Sequence, residues 1–460
     1  MPGKLEHGTL VGETALTDPD KWYRVYEELS EGERYDWIIG TLDRTLDPDF
    51  FEKLSFADYI FELADRKNPE KYAELIHKLR HHRDFYREEF QYFENELAAY
   101  HLFLDEVSDA EESLRYYMGA PVQGIDQLIW LMKLLVYYGK TDLAIECARQ
   151  TYQEIEASPE LIGGAEEPFA DLIFMCRFQQ AYLRIKNGQG VDWRAVQEEL
   201  ERYDIAMDDE ILERNRAAME RPSTGDEILC DGPFNSENGP GVFARDNMWT
   251  FVKQMLDRKQ MDFPLGEAIW AGAFQFLLQR KARKRPVLTW GEWFEFSERE
   301  LDAYLARMVG GFLSTRQTEA FAVLWGMAYV YDFLLERGVI SDKLHINALQ
   351  RIARVKSKIR DVYQDELWKY AFVDRWQASD YAGRESMQTE DDEDDNLDLN
   401  DIEDDDYDPD FYDTDRDEVF SNPFFGAPLQ EHDGSCSAKV KQKKKKARKE
   451  AKKQRKRNRR

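Results

Sequence analysis

The densest chemistry in this sequence is a run of cations. Residues 439–460 hold fifteen Lys/Arg against one Glu, a net charge of +14. Lys443, Lys444, Lys445 and Lys446 are contiguous, and Arg448, Lys449, Lys452, Lys453, Arg455, Lys456, Arg457, Arg459 and Arg460 extend them to the last residue. Cations at this density displace counterions from a polyanion, so affinity falls steeply with salt. With no aromatic among them they read charge density rather than base identity. RNA, DNA or a ribosome surface is the partner such a tail implies. Ala447, Ala451 and Gln454 are helix formers that let it coil when bound. An anionic membrane is a poorer match, because no lipid or amphipathic anchor accompanies the charge. The bland alternative is a solubilising tail that binds nothing specifically.

Histidines form the second cluster. His77 and His81 are four apart, a spacing that can hold a metal on one helix face, and His82 follows. Glu74 precedes His77 by three, giving the Glu-x-x-His unit of di-iron bundles. Its nearest counterpart, Asp342-Lys343-Leu344-His345, offers Asp in place of Glu. A solvated basic face, with Lys78, Arg80 and Arg83, is the simpler expectation.

Other motifs are weaker. Asp413 to Asp417 opens like a calcium loop, but Glu418 stands where the turn needs Gly and Phe424 where the bidentate Glu belongs. Arg280 to Arg285 places five bases in six residues. It reads as a helix C-terminus favoured by the dipole, or more sharply as a nuclear-localisation or phosphate-binding patch. There is no phosphate loop, dinucleotide fingerprint or nucleophile elbow. Cys147, Cys176, Cys230 and Cys436 contain no C-x-x-C pair. No catalytic residue, cofactor or metal site is therefore assigned.

The elements that must carry these groups follow from composition. The chain has 460 residues, 42% apolar and 13% aromatic, enough for a large core. Its formal charge of −28 is partitioned. Residues 389–418 hold eighteen acids and one Arg, a net of −17, and residues 1–388 carry −23. Both terminal charge blocks are expected to be disordered in isolation. The acid block lies about 20 residues before the cations, close enough to fold back and compete with polyanions. Its Leu397, Leu399, Ile402, Tyr407, Phe411 and Tyr412 also suit a docking motif for a basic protein.

Met1 to His7 has no apolar run behind it, and no segment approaches the roughly 20 apolar residues that span a bilayer. A cytoplasmic location is expected, or a nuclear one where the cell has a nucleus.

Helical periodicity dominates. Asp18-Pro19-Asp20 opens a helix through about Leu29, and Asn68-Pro69-Glu70 opens another whose apolar residues run from Tyr72 to Tyr100. Ile125 to Tyr138 and Leu143 to Ile155 form a hairpin about Gly139-Lys140-Thr141-Asp142, stopped by Ser158-Pro159. Residues 221–244 break the pattern as a linker or loop. A second block then runs through Arg245–Arg258, Pro264–Arg285, Glu292–Val309, Thr318–Glu336 and Lys343–Tyr370. Most aromatics, among them Trp290, Trp293, Phe294, Phe296, Tyr363, Trp368, Tyr370, Phe372 and Trp376, are expected in the core.

On Leu128, Leu135, Gly139, Ala144 and Ala148, with Pro159 beyond, residues 125–159 resemble a tetratricopeptide (TPR) hairpin. Met132 replaces the glycine usual within the first helix, and Lys133 sits mid-helix. A looser echo runs Phe174–Ile185, Gly188-Gln189-Gly190 and Trp193–Tyr203, with Gly188 49 residues after Gly139 where the family period is 34. Trp325, Gly326 and Tyr329 are spaced like part of a TPR first helix. The resemblance implies a hairpin stack used for protein binding and carries no catalytic residue. A non-repetitive helical domain is the alternative.

The expected fold is all-α: stacked helical hairpins, TPR-like or an irregular α-solenoid, with a disordered acidic and basic C-terminal tail. Residues 1–14 form a disordered N-terminus, 15–220 and 245–378 the two helical blocks, 379–438 the acidic segment and 439–460 the polybasic tail. The expected function is a non-enzymatic adaptor that binds an unknown protein partner with its body and nucleic acid or a ribonucleoprotein with its tail. The alternatives are an acidic chaperone for basic proteins and a helical-bundle metalloenzyme near Glu74 and His77.

Overall fold

Asp18 caps the first helix as its residue type predicts. Its Oδ1 accepts the backbone N–H groups of Asp20 at 3.2 Å and Lys21 at 3.4 Å, and Pro19 occupies the first turn. The computed structural model describes residues 18–44, 48–63, 69–222, 239–279, 289–309, 314–364 and 366–386. Among them every regular element is a helix. None of these helices is long and apolar enough to cross a membrane.

The first group is α1 (Pro19–Glu28), α2 (Glu31–Leu42), α3 (Pro48–Leu54), α4 (Phe56–Leu63), α5 (Pro69–Leu79), α6 (Arg83–Glu89), α7 (Glu94–Leu104) and α8 (Val107–Gly119). The second is α9 (Ile125–Tyr137), α10 (Thr141–Glu156), α11 (Glu167–Lys186), α12 (Trp193–Leu200) and α13 (Asp209–Glu220). The third is α14 (Gly239–Lys259), α15 (Phe263–Gln279), α16 (Trp290–Phe294), α17 (Glu298–Val309), α18 (Ser314–Glu336), α19 (Asp342–Val362) and α20 (Phe372–Arg375).

The chain divides into two compact units, residues 1–207 with 216–397 and residues 208–215 with 398–460. Of the second, only 208–215 is described, where Asp208 Oδ1 caps Ile211 N–H at 2.8 Å.

Within the first unit, the hairpin at Gly139 forms as expected. Gly139 takes φ +69°, where a side chain would be strained, and Lys140 N–H returns to the Leu135 carbonyl at 2.8 Å. The same return bond follows Gly188 and Gly338, so α9, α11 and α18 end alike. Ala144 and Ala148 of α10 are fully buried, and α9, α10, α11 and α12 pack in chain order.

Three expected helices are broken, the one expected as Lys343–Tyr370 ending as α19 at Val362 ahead of a separate 3-10 turn at Leu367–Tyr370. The apolar period from Tyr72 to Tyr100 spans α5, α6 and α7, separated at Arg80–His82 and around Phe90–Phe93. The break lets Arg80 turn onto Glu94 with hydrogen bonds of 2.9 and 2.7 Å, and lets His82 Nε2 meet the Leu42 carbonyl at 2.8 Å. Glu94 is fully buried, so the paired guanidinium is what makes its burial tolerable. The stretch expected as Glu292–Val309 divides at Glu295–Ser297, because Ser297 and Glu300 cap each other at 2.7 and 3.2 Å and restart the helix.

Residues 216–222 and α14, which flank positions 223–238, belong to the first unit, and positions 223–238 lie outside the described residues. A C-terminal strap, residues 366–386, ties these helices together. The Tyr370 ring stacks on Phe321 at 3.9 Å, and Lys369 pairs with Glu96. Arg375 donates to the carbonyls of Leu102 and Phe103 at 3.0 and 2.8 Å, and Trp376 Nε1–H donates to Tyr137 O at 2.9 Å. Lys259 reaches Ala378 O and Asp380 at 2.7 and 2.6 Å, and Arg384 reaches Asp342 at 2.8 Å. Most of the aromatics expected in the core are there: Trp293, Phe294, Phe296, Tyr363, Tyr370 and Phe372 are buried.

Candidate functional site

The sequence reading placed its site residues in the tail. Lys443 to Lys446, Arg448, Lys449, Lys452, Lys453, Arg455, Lys456, Arg457, Arg459 and Arg460 all lie outside the described residues, as do the acid block 389–418, the calcium-like Asp413–Asp417 and the basic run Arg280–Arg285.

The histidine cluster is described, and it does not assemble as a pair. His81 Nδ1 bonds its own helix, at the carbonyls of His77 (3.0 Å) and Lys78 (3.2 Å). His77 turns instead towards His101 of α7, with 6.0 Å between ring centroids. Burial, then the neighbouring Arg80 and His101, hold its pKa below the ordinary histidine value. The proposed counterpart goes elsewhere. His345 is fully buried against Asp332 at 2.8 Å, and Asp342 pairs with Arg384. Glu74 remains exposed.

A different polar cluster sits where α9, α11, α15 and α18 meet. Of these, α15 and α18 approach closely because residues at their crossing are small. A Cβ on Gly326 of α18 would stand 2.7 Å from the Ile269 side chain of α15, and one on Gly272 would overlap Val323. Trp130 of α9 donates to Thr318 of α18 at 2.9 Å. Three residues on, Lys133 pairs with Glu319. Asp171 of α11 and Glu267 of α15 complete the group.

Both acids are perturbed. Burial, helped by Glu167, pushes the Asp171 carboxyl up to about 7, against the pull of Lys133. Burial and then the neighbouring Asp171 push Glu267 up to about 8, again opposed by Lys133. Asp171 Oδ1 is buried without a hydrogen-bond partner. Both residues nevertheless keep partial solvent exposure. Two carboxyls that titrate near neutrality beside an ammonium can hold or pass a proton, or accept a cationic group once ionised.

Sequence reasoning missed this cluster because its members are spread from position 133 to 319 and each stands alone in its helix. The available signal was a single acid inside an apolar run, as in Phe169-Ala170-Asp171-Leu172-Ile173. The thiols of Cys147 and Cys176 are buried and pushed up to about 12, far from a reactive thiolate. Among the described residues, one group brings metal-type donors together: His101, Glu106 and Asp109.

Comparison with protein-family models, with curated proteins and with solved structures gives no match to this chain.

Proposed function

We propose that the chain is a non-enzymatic helical adaptor. Its body, a stack of hairpins of TPR-like or irregular α-solenoid kind, docks a protein partner, and its basic tail holds nucleic acid or a ribonucleoprotein. One observation carries the reading: fifteen Lys/Arg against one Glu in residues 439–460, on a chain whose residues 1–388 are strongly acidic. A net-negative body is repelled by phosphate, so binding to a polyanion falls to the tail alone. The recurrent glycine turns after α9, α11 and α18 support the hairpin reading of the body.

The test is a pull-down from lysate with and without nuclease, comparing the full chain with residues 1–388. Companions retained by the shorter chain and insensitive to nuclease belong to the body. Companions lost with the tail and released by nuclease belong to the nucleic acid. If neither truncation nor nuclease changes what is captured, the tail has no such role.

The buried cluster favours a second reading, an acid–base centre at Asp171 and Glu267. Carboxyls at about 7 and about 8 match what proton transfer near neutral pH needs. A carbon-detected NMR titration tests it. Two carboxyls titrating below pH 5 would remove it.

A further inference from the structure

We propose that His101, Glu106 and Asp109 form a binding site for a divalent transition-metal ion of the zinc class. The site goes beyond the adaptor reading and does not depend on it.

His101 lies in the last turn of α7, and Glu106 and Asp109 lie at the start of α8. The connection between the two helices folds tightly. Asp105 takes φ +64° and Glu106 N–H returns to the His101 carbonyl at 2.8 Å. That turn brings one ligand atom from each of the three side chains within 4.8 Å of the others. Metal–ligand bonds of about 2.0–2.2 Å set neighbouring donors on an ion roughly 3–4 Å apart. The exposed Glu106 and Asp109 need only small rotations to close on it.

Three features separate this cluster from an ordinary helix junction. First, the imidazole is 6% exposed and its Nδ1 meets Glu106 Oε2 at 2.9 Å, while its Nε2 is buried and makes no hydrogen bond. The ring's only hydrogen-bonding edge therefore faces the acids. Second, among the described residues no Lys or Arg pairs with these acids. The adjacent Asp105 takes both Lys140 at 3.0 Å and Arg375 at 3.2 Å. Among the described residues Glu106 pairs with the histidine, and Asp109 has no side-chain partner. Third, His101 stands at the negative end of the α7 dipole, where a cation is favoured. The α8 dipole favours Glu106 and Asp109 in its first turn and so accounts for their types, but not for their convergence on a buried imidazole.

The donor set selects the ion. One imidazole nitrogen with two carboxylates suits zinc, cobalt or nickel better than the all-oxygen shell of calcium or magnesium. On binding, an imidazolium gives its Nδ1 proton to solvent or a neutral ring moves its proton to Nε2, so that the neutral Nε2–H tautomer offers the Nδ1 lone pair to the metal, and water fills the remaining position.

The experiment uses the full chain. Protein is equilibrated with Zn²⁺, dialysed against metal-free buffer and analysed for bound metal, and Co²⁺ loading is followed by visible absorption. Wild type is expected to retain one equivalent more than His101→Ala and than the surface variant Glu106→Gln/Asp109→Asn, with the cobalt band lost in both variants. His81→Ala, which touches only its own backbone, is expected to match wild type. The double variant guards against misfolding of the buried-histidine variant. The proposal is overturned if wild type retains no zinc beyond the double variant, or if the double variant keeps the cobalt band.

Discussion

Lys133 of α9 and Glu319 of α18, 186 residues apart, form an ion pair beside Asp171 and Glu267. The same ammonium is what restrains the two raised carboxyls. Lys133→Met removes that restraint, so both groups should titrate above their present values of about 7 and about 8. Carboxyl carbon shifts followed across pH report this directly. Unchanged midpoints would mean that the lysine is not coupled to the pair.

Stability should fall as pH rises. Asp171 and Glu267 bind their protons more tightly folded than unfolded, since their ordinary values lie near 4. An acid raised on folding contributes no penalty below its unfolded pKa, and an increasing one as pH climbs through its folded pKa. Urea denaturation at pH 5, 7 and 9 should give a declining midpoint. Asp171→Asn/Glu267→Gln, with no charge to bury, should decline less, by several kcal/mol over this range. A wild-type midpoint that rises over this range would contradict the assignment.

The α15–α18 crossing tolerates no added methyl. Gly326→Ala places a Cβ 2.7 Å from Ile269, so one helix must shift. A loss of about 1–3 kcal/mol is expected in chemical denaturation. Gly291→Ala, which meets nothing closer than 3.9 Å, should stay near wild type.

Arg375 anchors the strap through the Leu102 and Phe103 carbonyls. Arg375→Ala leaves both without that donor, costing about 2 kcal/mol on the scale of charged hydrogen bonds. Limited proteolysis should then cut within residues 376–386 sooner than in wild type. Equal cleavage rates would show that the guanidinium does not hold the strap.

The parts of the fold legible in the sequence were those with local causes. Asp18-Pro19 marks a helix start by capping, and Gly139 marks a stop by its backbone freedom. The break at Arg80–His82 was not legible, because the apolar period continues across it. Its cause is a partner fourteen residues away, Glu94, that only the folded chain brings to Arg80. The cluster was hidden for the same reason on a larger scale: Lys133, Asp171, Glu267 and Glu319 come from four helices, and of these only Asp171, an acid inside an apolar run, carries a local signal. His101 was also overlooked. Its neighbours His77 and His81 offered the familiar four-residue spacing, whereas its donors Glu106 and Asp109 lie across a helix junction.

The central claim is that the terminal cations engage polyanions while the body does not. It is tested most directly by filter binding of labelled RNA and DNA to the full chain and to residues 1–438 over a range of salt. The account predicts binding by the full chain with a steep loss as salt rises, and none by the truncated chain. Equal binding by both, or a full-chain affinity indifferent to salt, would contradict it.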